Sequence, residues 1–176
     1  MCGIIGIASN DNVSSNIINS LKKLEYRGYD SAGIAINNNE KINQKKVKGK
    51  LDNLIYALQK DQFDGKVGIG HTRWATHGEP SDKNAHPHSS RLVSLVHNGI
   101  IENASELKKA QEVREYHFES DTDSEVITAL LTHHRKEGLS HLESIKKTIS
   151  ILEGSYALAI IFCLLYTSPS PRDLRK

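Results

Sequence analysis

Cysteine, proline and aromatic residues are scarce in this chain, and neither sign of charge dominates. The only cysteines are Cys2 and Cys163, too few for a disulfide framework and in keeping with a reducing cytoplasm. Lys and Arg number 23 against 21 Asp and Glu, a formal charge of +2. The basic residues are spread along the chain, so nucleic-acid and acidic-membrane partners have no support. The one dense cationic run, Lys45-Lys46 with Lys48 and Lys50, reads as a solvated strand or loop edge. No apolar stretch approaches the roughly 20 residues of a membrane span. No charged segment followed by an apolar run opens the chain, so no signal peptide is expected. A Walker A string and a G-x-G-x-x-G string are both missing, which leaves nucleotide binding without local support. The triplets Asn12-Val13-Ser14 and Asn103-Ala104-Ser105 match the glycosylation pattern only by chance in a cytoplasmic protein.

With 176 residues, one domain with a core of its own is the default expectation. Ile4 to Ala8 reads as a buried strand closed by a turn cluster at Ser9-Asn10-Asp11-Asn12. Val13, Ile17, Ile18, Leu21 and Leu24 follow helical spacing. Gly28 and Gly33 are expected to bracket a loop before a strand at Ile34 to Ile36. A hairpin turn at Asn37-Asn38-Asn39 then returns the chain as a strand to Val47. Leu51, Leu54, Ile55 and Leu58 predict a second helix, and Val67 to Thr72 and Leu92 to His97 predict strands. Between these two strands lies Arg73 to Arg91, polar and rich in histidine. Connections of that length are often functional. Thr122-x-x-Glu125 resembles a capping box that opens a helix through Val126, Ile127, Leu130 and Leu131. Leu139 to Leu152 predicts another helix, and Ser155 to Phe162 an apolar strand. Strands and helices occur in clusters rather than in strict alternation, which favours an α+β layered fold over a parallel doubly wound sheet. No internal repeat is present.

Met1-Cys2-Gly3 is the first chemical signal. A small residue at position 2 permits removal of the initiator methionine, which places a thiol and a free α-amine on one residue. A thiolate is the nucleophile, and a free cysteine is mostly protonated at neutral pH. An α-amino group titrates at about 7.7–8.0, close to the range a general base needs. Cys2 can therefore carry both nucleophile and base. Gly3 is expected to leave the backbone open to substrate. The competing reading is an ordinary residue beside a start codon.

The wider pattern resembles the class II glutamine amidotransferases, an N-terminal-nucleophile family. The matching strings are MCGIIGIA at the start, LEYRGYDSAGIA at 24–35, HTRWATHGEPS at 71–81, NAHPH at 84–88, HNGIIEN at 97–103 and SDTDSEV at 120–126. Their order and spacing match as well, over residues 1 to about 162. HTRWATHG, NAHPH and EYRGYDSAG resemble the glutamine–fructose-6-phosphate aminotransferases within that family.

The resemblance implies a four-layer αββα sandwich of two antiparallel sheets. It implies hydrolysis of L-glutamine to glutamate and ammonia, with no cofactor and no metal. Cys2 corresponds to the nucleophile. Asn98 and Gly99 resemble the oxyanion hole, although Asn-Gly after an apolar run also reads as a hairpin turn. Arg73 resembles the clamp for the substrate α-carboxylate and Asp123 the partner of its α-ammonium. Their alternatives are a surface ion pair and a helix-N-terminal acid. Trp74 to Ser81 resembles a loop that closes over glutamine, with polar contacts from Thr76 and His77 and shielding by Trp74. A lone tryptophan is otherwise a core anchor. Arg27 resembles a residue that positions the N-terminus, or else is a surface charge at a helix end. The histidines His71, His77, His86, His88 and His97 lack the Cys or carboxylate spacing of a zinc motif.

In that family the ammonia passes to sugar-phosphate isomerase domains that make glucosamine 6-phosphate from fructose 6-phosphate, and the full-length protein is expected to be a homodimer. Those domains are not in this sequence. The expectation is a glutaminase domain over residues 1–162, incomplete at its C-terminal end. A disordered, non-native tail over 163–176 follows, where Thr167-Ser168-Pro169-Ser170-Pro171-Arg172 has no core pattern. The alternatives are another class II amidotransferase of the amidophosphoribosyltransferase type and a catalytically inactive fragment.

Overall fold

The computed structural model describes residues 2–38, 41–59, 61, 63–75, 78–112 and 114–163. The expected tail from 164 onward, Asn39 of the hairpin turn, Thr76 and His77 lie outside them. Among the described residues β1 (Gly3–Ala8), α1 (Ser14–Leu24), β2 (Ser31–Asn37), β3 (Ile42–Lys48), α2 (Leu51–Leu58) and β4 (Val67–Arg73) form the first half. The second half holds β5 (His88–Ser89), β6 (Val93–Ile101), α3 (Ala104–Glu112), α4 (Glu125–Lys136), α5 (His141–Ile149) and β7 (Gly154–Phe162). The strands make two antiparallel sheets, ordered β1-β4-β2-β3 and β5-β6-β7.

Alternation along each strand builds the layers. Ala32, Ile34 and Ile36 on β2 face Val13, Ile17 and Leu21 around α1 and Leu51 and Leu54 of α2. Ala35, one step out of phase, joins Ile69, Val96 and Ile161 in an apolar layer between the sheets. Val93 and Leu95 on β6 turn the other way, toward Val126, Ile127, Leu130 and Leu131 of α4. The result is the expected α+β class with the layer order helix, sheet, sheet, helix.

Several local expectations differ from the fold. Gly33 lies inside β2 rather than closing a loop. The Thr122–Glu125 box does not form. Glu125 instead accepts from the backbone N–H groups of Glu119 and Ser120 and so holds the incoming loop. A complete capping box opens α5, where Ser140 accepts from Glu143 N and Glu143 accepts from Ser140 N. The sequence pattern also missed α3, whose buried residues are only Ala104 and Gln111. So short an apolar stripe has little periodic signal. Cys163 is buried, and its N–H donates to Leu92 O at 2.9 Å.

Candidate active site

Antiparallel pairing of β1 with β4 places Gly3 opposite Thr72, so Cys2 emerges beside Arg73 and Trp74. The Trp74 N–H donates to Cys2 Sγ at 3.3 Å, and the thiol approaches Trp74 O at 3.6 Å. Asp30 steadies this segment. Its N–H donates to Arg73 O at 3.2 Å, and its carboxylate accepts from the Ala75 N–H. Asp30 lies within a recognised string but was given no role from sequence. Gly3 is closely surrounded on the side where a Cβ would stand. A side chain there would meet Thr72 Oγ1 at 2.6 Å and Leu24 Cβ at 2.8 Å, so the protein's own packing requires the glycine.

Across the gap, the other sheet presents Asn98 and Gly99. The Asn98 side-chain amide donates from Nδ2 to the Cys2 carbonyl oxygen at 3.2 Å. No hairpin turn occurs here. β6 continues to Ile101, with Asn98 opposite Ala157 and Gly99 opposite Tyr156 on β7. Gly99 has φ 142°, in the range that favours glycine.

A pocket of about 220 Å³ opens where these elements meet, lined by Cys2, Arg73, Trp74, Asn98, Gly99 and Asp123 among others. Arg73 is 3% exposed, and its Nη2 donates to Gly78 O at 3.0 Å. Asp123 lies just before α4, yet its Oδ2 accepts from the Ile101 N–H at 2.8 Å and its Oδ1 accepts from Ser124 Oγ at 3.3 Å. Its carboxylate is thus turned to β6 and the pocket. A guanidinium and a carboxylate in one small pocket can read the two opposite charges of a free amino acid.

The structure therefore brings together Cys2, Arg73, Trp74, Asn98, Gly99 and Asp123. Trp74 is no core anchor: 47% exposed, it meets Tyr29 edge-on with centroids 5.5 Å apart. Arg27 is not among the lining residues. It follows Tyr26 in a 3₁₀ turn, and its Nε donates to Tyr26 Oη at 3.0 Å.

Sequence reasoning missed the inner wall. His86, His97, Thr122 and Ser124 also line the pocket. The His97 ring approaches Ser124 Oγ through Nδ1 at 2.7 Å, and His88 approaches Thr122 Oγ1 through Nε2 at 3.0 Å. Burial lowers the pKa of His97, partly opposed by the Asp123 charge. Burial lowers His71 to about 3 and takes His86 and His88 well below their ordinary value. One signal was alternation along β6, which puts His97 on the face that carries Val93 and Leu95, toward α4 and Ser124.

The profile of the glutamine amidotransferase domain family matches residues 71–163. A glutamine–fructose-6-phosphate aminotransferase (isomerizing) of Clostridium acetobutylicum is 52% identical over 163 residues, covering 92% of this chain and 26% of that protein. One of Brucella suis is 47% identical over 162 residues, covering 92% and 27%. The chain thus spans about a quarter of the length of these relatives. Among solved structures, the glutamine phosphoribosylpyrophosphate amidotransferase of B. subtilis in complex with ADP and GMP superposes with TM-score 0.79 at 28% identity. A structure described as the allosteric regulatory enzyme of purine biosynthesis superposes with TM-score 0.80 at 29%. Each match covers 92% of this chain and 35% of the other.

Proposed function

The chain belongs to the glutamine amidotransferase domain family, and on that premise we propose that it is the glutaminase half of a glutamine–fructose-6-phosphate aminotransferase. Removal of Met1 frees the Cys2 amine, which takes the thiol proton. The thiolate attacks the side-chain amide carbon of glutamine. The oxyanion that forms lies between the second Asn98 amide N–H and the Gly99 backbone N–H. The protonated amine passes its proton to the departing nitrogen, ammonia leaves, and a thioester on Cys2 remains. Water adds to that thioester and releases glutamate and the free thiol.

Arg73 holds the α-carboxylate with polar help from Thr76 and His77, and Asp123 holds the α-ammonium. Trp74 shields the site, and closure over the substrate excludes bulk water. Arg27 positions the chain terminus from outside the pocket wall. Residues 1–162 make up the glutaminase unit, and 163–176 lie outside it. In the complete cytoplasmic homodimer, isomerase domains use the ammonia to convert fructose 6-phosphate to glucosamine 6-phosphate. The identity of 52% to an aminotransferase, against 28% to a phosphoribosylpyrophosphate enzyme, favours that acceptor.

The observation that carries this reading is the meeting of Cys2 and Asn98 at 3.2 Å over a pocket that also holds Arg73 and Asp123. The test is glutamine hydrolysis by the full chain and its Cys2→Ala variant, with mass spectrometry of the N-terminus. Loss of Met1 and loss of activity in Cys2→Ala support the mechanism. Full activity in protein that retains Met1 overturns it. Glucosamine 6-phosphate formation by the complete protein tests the acceptor.

A further inference from the structure

His71 stands on β4 in the four-stranded sheet, and its ring crosses the layer between the sheets. Its Nε2 lies 3.0 Å from the backbone oxygen of His97 on β6. A carbonyl oxygen can only accept, so Nε2 carries the proton. The ring is fully enclosed, and burial keeps it neutral, so Nδ1 is bare. Nδ1 has no hydrogen-bond partner among the described residues. The ring stacks on His86, with centroids 4.3 Å apart and planes 28° apart. Stacking holds the plane of the ring, and the hydrogen bond ties its tip to β6.

The two ends of that bond are informative. The accepting carbonyl belongs to the residue immediately before Asn98. At the other end, β4 carries Arg73 two residues beyond His71 and pairs with β1 through Ile4↔His71 and Gly3↔Thr72. The inter-sheet layer around it consists of Ala35, Ile69, Val96 and Ile161. Such apolar contacts are non-directional and tolerate sliding, whereas a hydrogen bond has a preferred length and angle. At the far end of the same layer Asn37 Nδ2 donates to Phe162 O at 2.9 Å, so each end of the paired sheets is pinned by a polar bond.

We propose that His71 is a positioning residue: its bond to the His97 carbonyl sets the spacing between Cys2 on one sheet and the donors Asn98 and Gly99 on the other. This rests on the roles given above to those three residues. Oxyanion donors act at about 2.7–3.1 Å, and a misplacement of about 1 Å can cost about a hundredfold in rate. The Asn98 bond to the Cys2 carbonyl lies within the reacting centre itself, whereas the His71 bond ties β4 to β6 from outside it.

The test compares His71→Leu with His71→Gln, whose side-chain amide can restore a donor. In the full chain, His71→Leu should lower kcat for glutamine hydrolysis about ten- to a hundredfold. KM should move by less than about threefold, the pattern of a lost transition-state interaction. Alkylation of Cys2 by iodoacetamide should keep its rate, because the thiol itself is untouched. His71→Gln should recover most of the kcat. Undiminished kcat in His71→Leu, or equal loss in a well-folded His71→Gln, overturns the proposal. Should His71→Leu fail to fold, ¹⁵N-histidine spectra of the unaltered chain decide. A protected Nε2–H on His71 supports the proposal, and an Nδ1–H tautomer overturns it. Asn98→Ala separates the two readings. Undiminished hydrolysis there removes the proposed mechanism itself, while a slow Asn98→Ala beside a fast His71→Leu removes only the role of His71.

Discussion

The Asn98 side-chain amide donates to the backbone carbonyl of Cys2 across 3.2 Å, although the two residues are 96 apart in sequence and Cys2 leads into a strand of the other sheet. One amide N–H is held by this bond, and the other remains for a developing oxyanion. Asn98→Ala should therefore lower kcat for glutamine hydrolysis by about 10²–10³, the usual effect of losing one such donor. KM should change far less. Steady-state hydrolysis kinetics check this, and a change confined to KM would count against the assignment.

Arg73 and Asp123 are predicted to act on binding. Arg73→Lys keeps the charge and loses the planar fork, so KM for glutamine should rise about tenfold or more. Asp123→Asn retains an oxygen that can accept the Ile101 N–H, so the fold should survive while KM rises. Thermal denaturation run beside the kinetics separates the two effects. A KM unchanged in both variants would show that the pocket reads neither charge.

Gly99→Ala should damage the fold as well as the site. At φ 142° an L-residue is strained, and a Cβ would lie 2.2 Å from Ser155 O on β7. The strained backbone alone costs about 1–3 kcal/mol, and β7 must also give way. A lower melting temperature together with slower hydrolysis is the expected result, and a melting temperature equal to the parent's would be the failing one.

Acid should destabilise the protein through its enclosed imidazoles. Burial lowers His71 to about 3 and His86 and His88 well below 6.5. Between the folded and unfolded values the unfolded chain binds more protons, so stability rises with pH across that window. The neutral rings thus give their full contribution above about pH 6.5, and it is lost as the pH falls toward 3. Each imidazole adds a slope of up to about 1.4 kcal/mol per pH unit. The urea midpoint should be level near pH 7–8 and fall steeply below about pH 6. His88→Gln should make that fall shallower. A midpoint that stays level down to about pH 5 would contradict the burial of these rings.

Periodicity over a few residues was enough to read β1, α1, α2, β4 and α5, although in α5 the apolar Leu142 and Ile149 stay exposed while Ser144 and Thr148 are buried. Arg73, Trp74, Asn98, Gly99 and Asp123 were legible as odd strings in a familiar order. Their meeting in one pocket was not, because no local pattern encodes it. Asn98-Gly99 read as a turn, yet it lies within a strand, because its partners Ala157 and Tyr156 come from almost sixty residues further along the chain. Thr122–Glu125 read as a cap, but the Glu125 carboxylate found backbone donors in the approaching loop instead. The histidines could be counted in the sequence. Their burial, the tautomer of His71 and the bond that joins it to β6 arise only when two sheets close on each other. Local covalent order determines which elements form and which reactive groups the chain carries. The distances between those groups are decided by long-range packing, where apolar burial brings the two sheets together and directional bonds such as that from His71 to the His97 carbonyl fix how they meet.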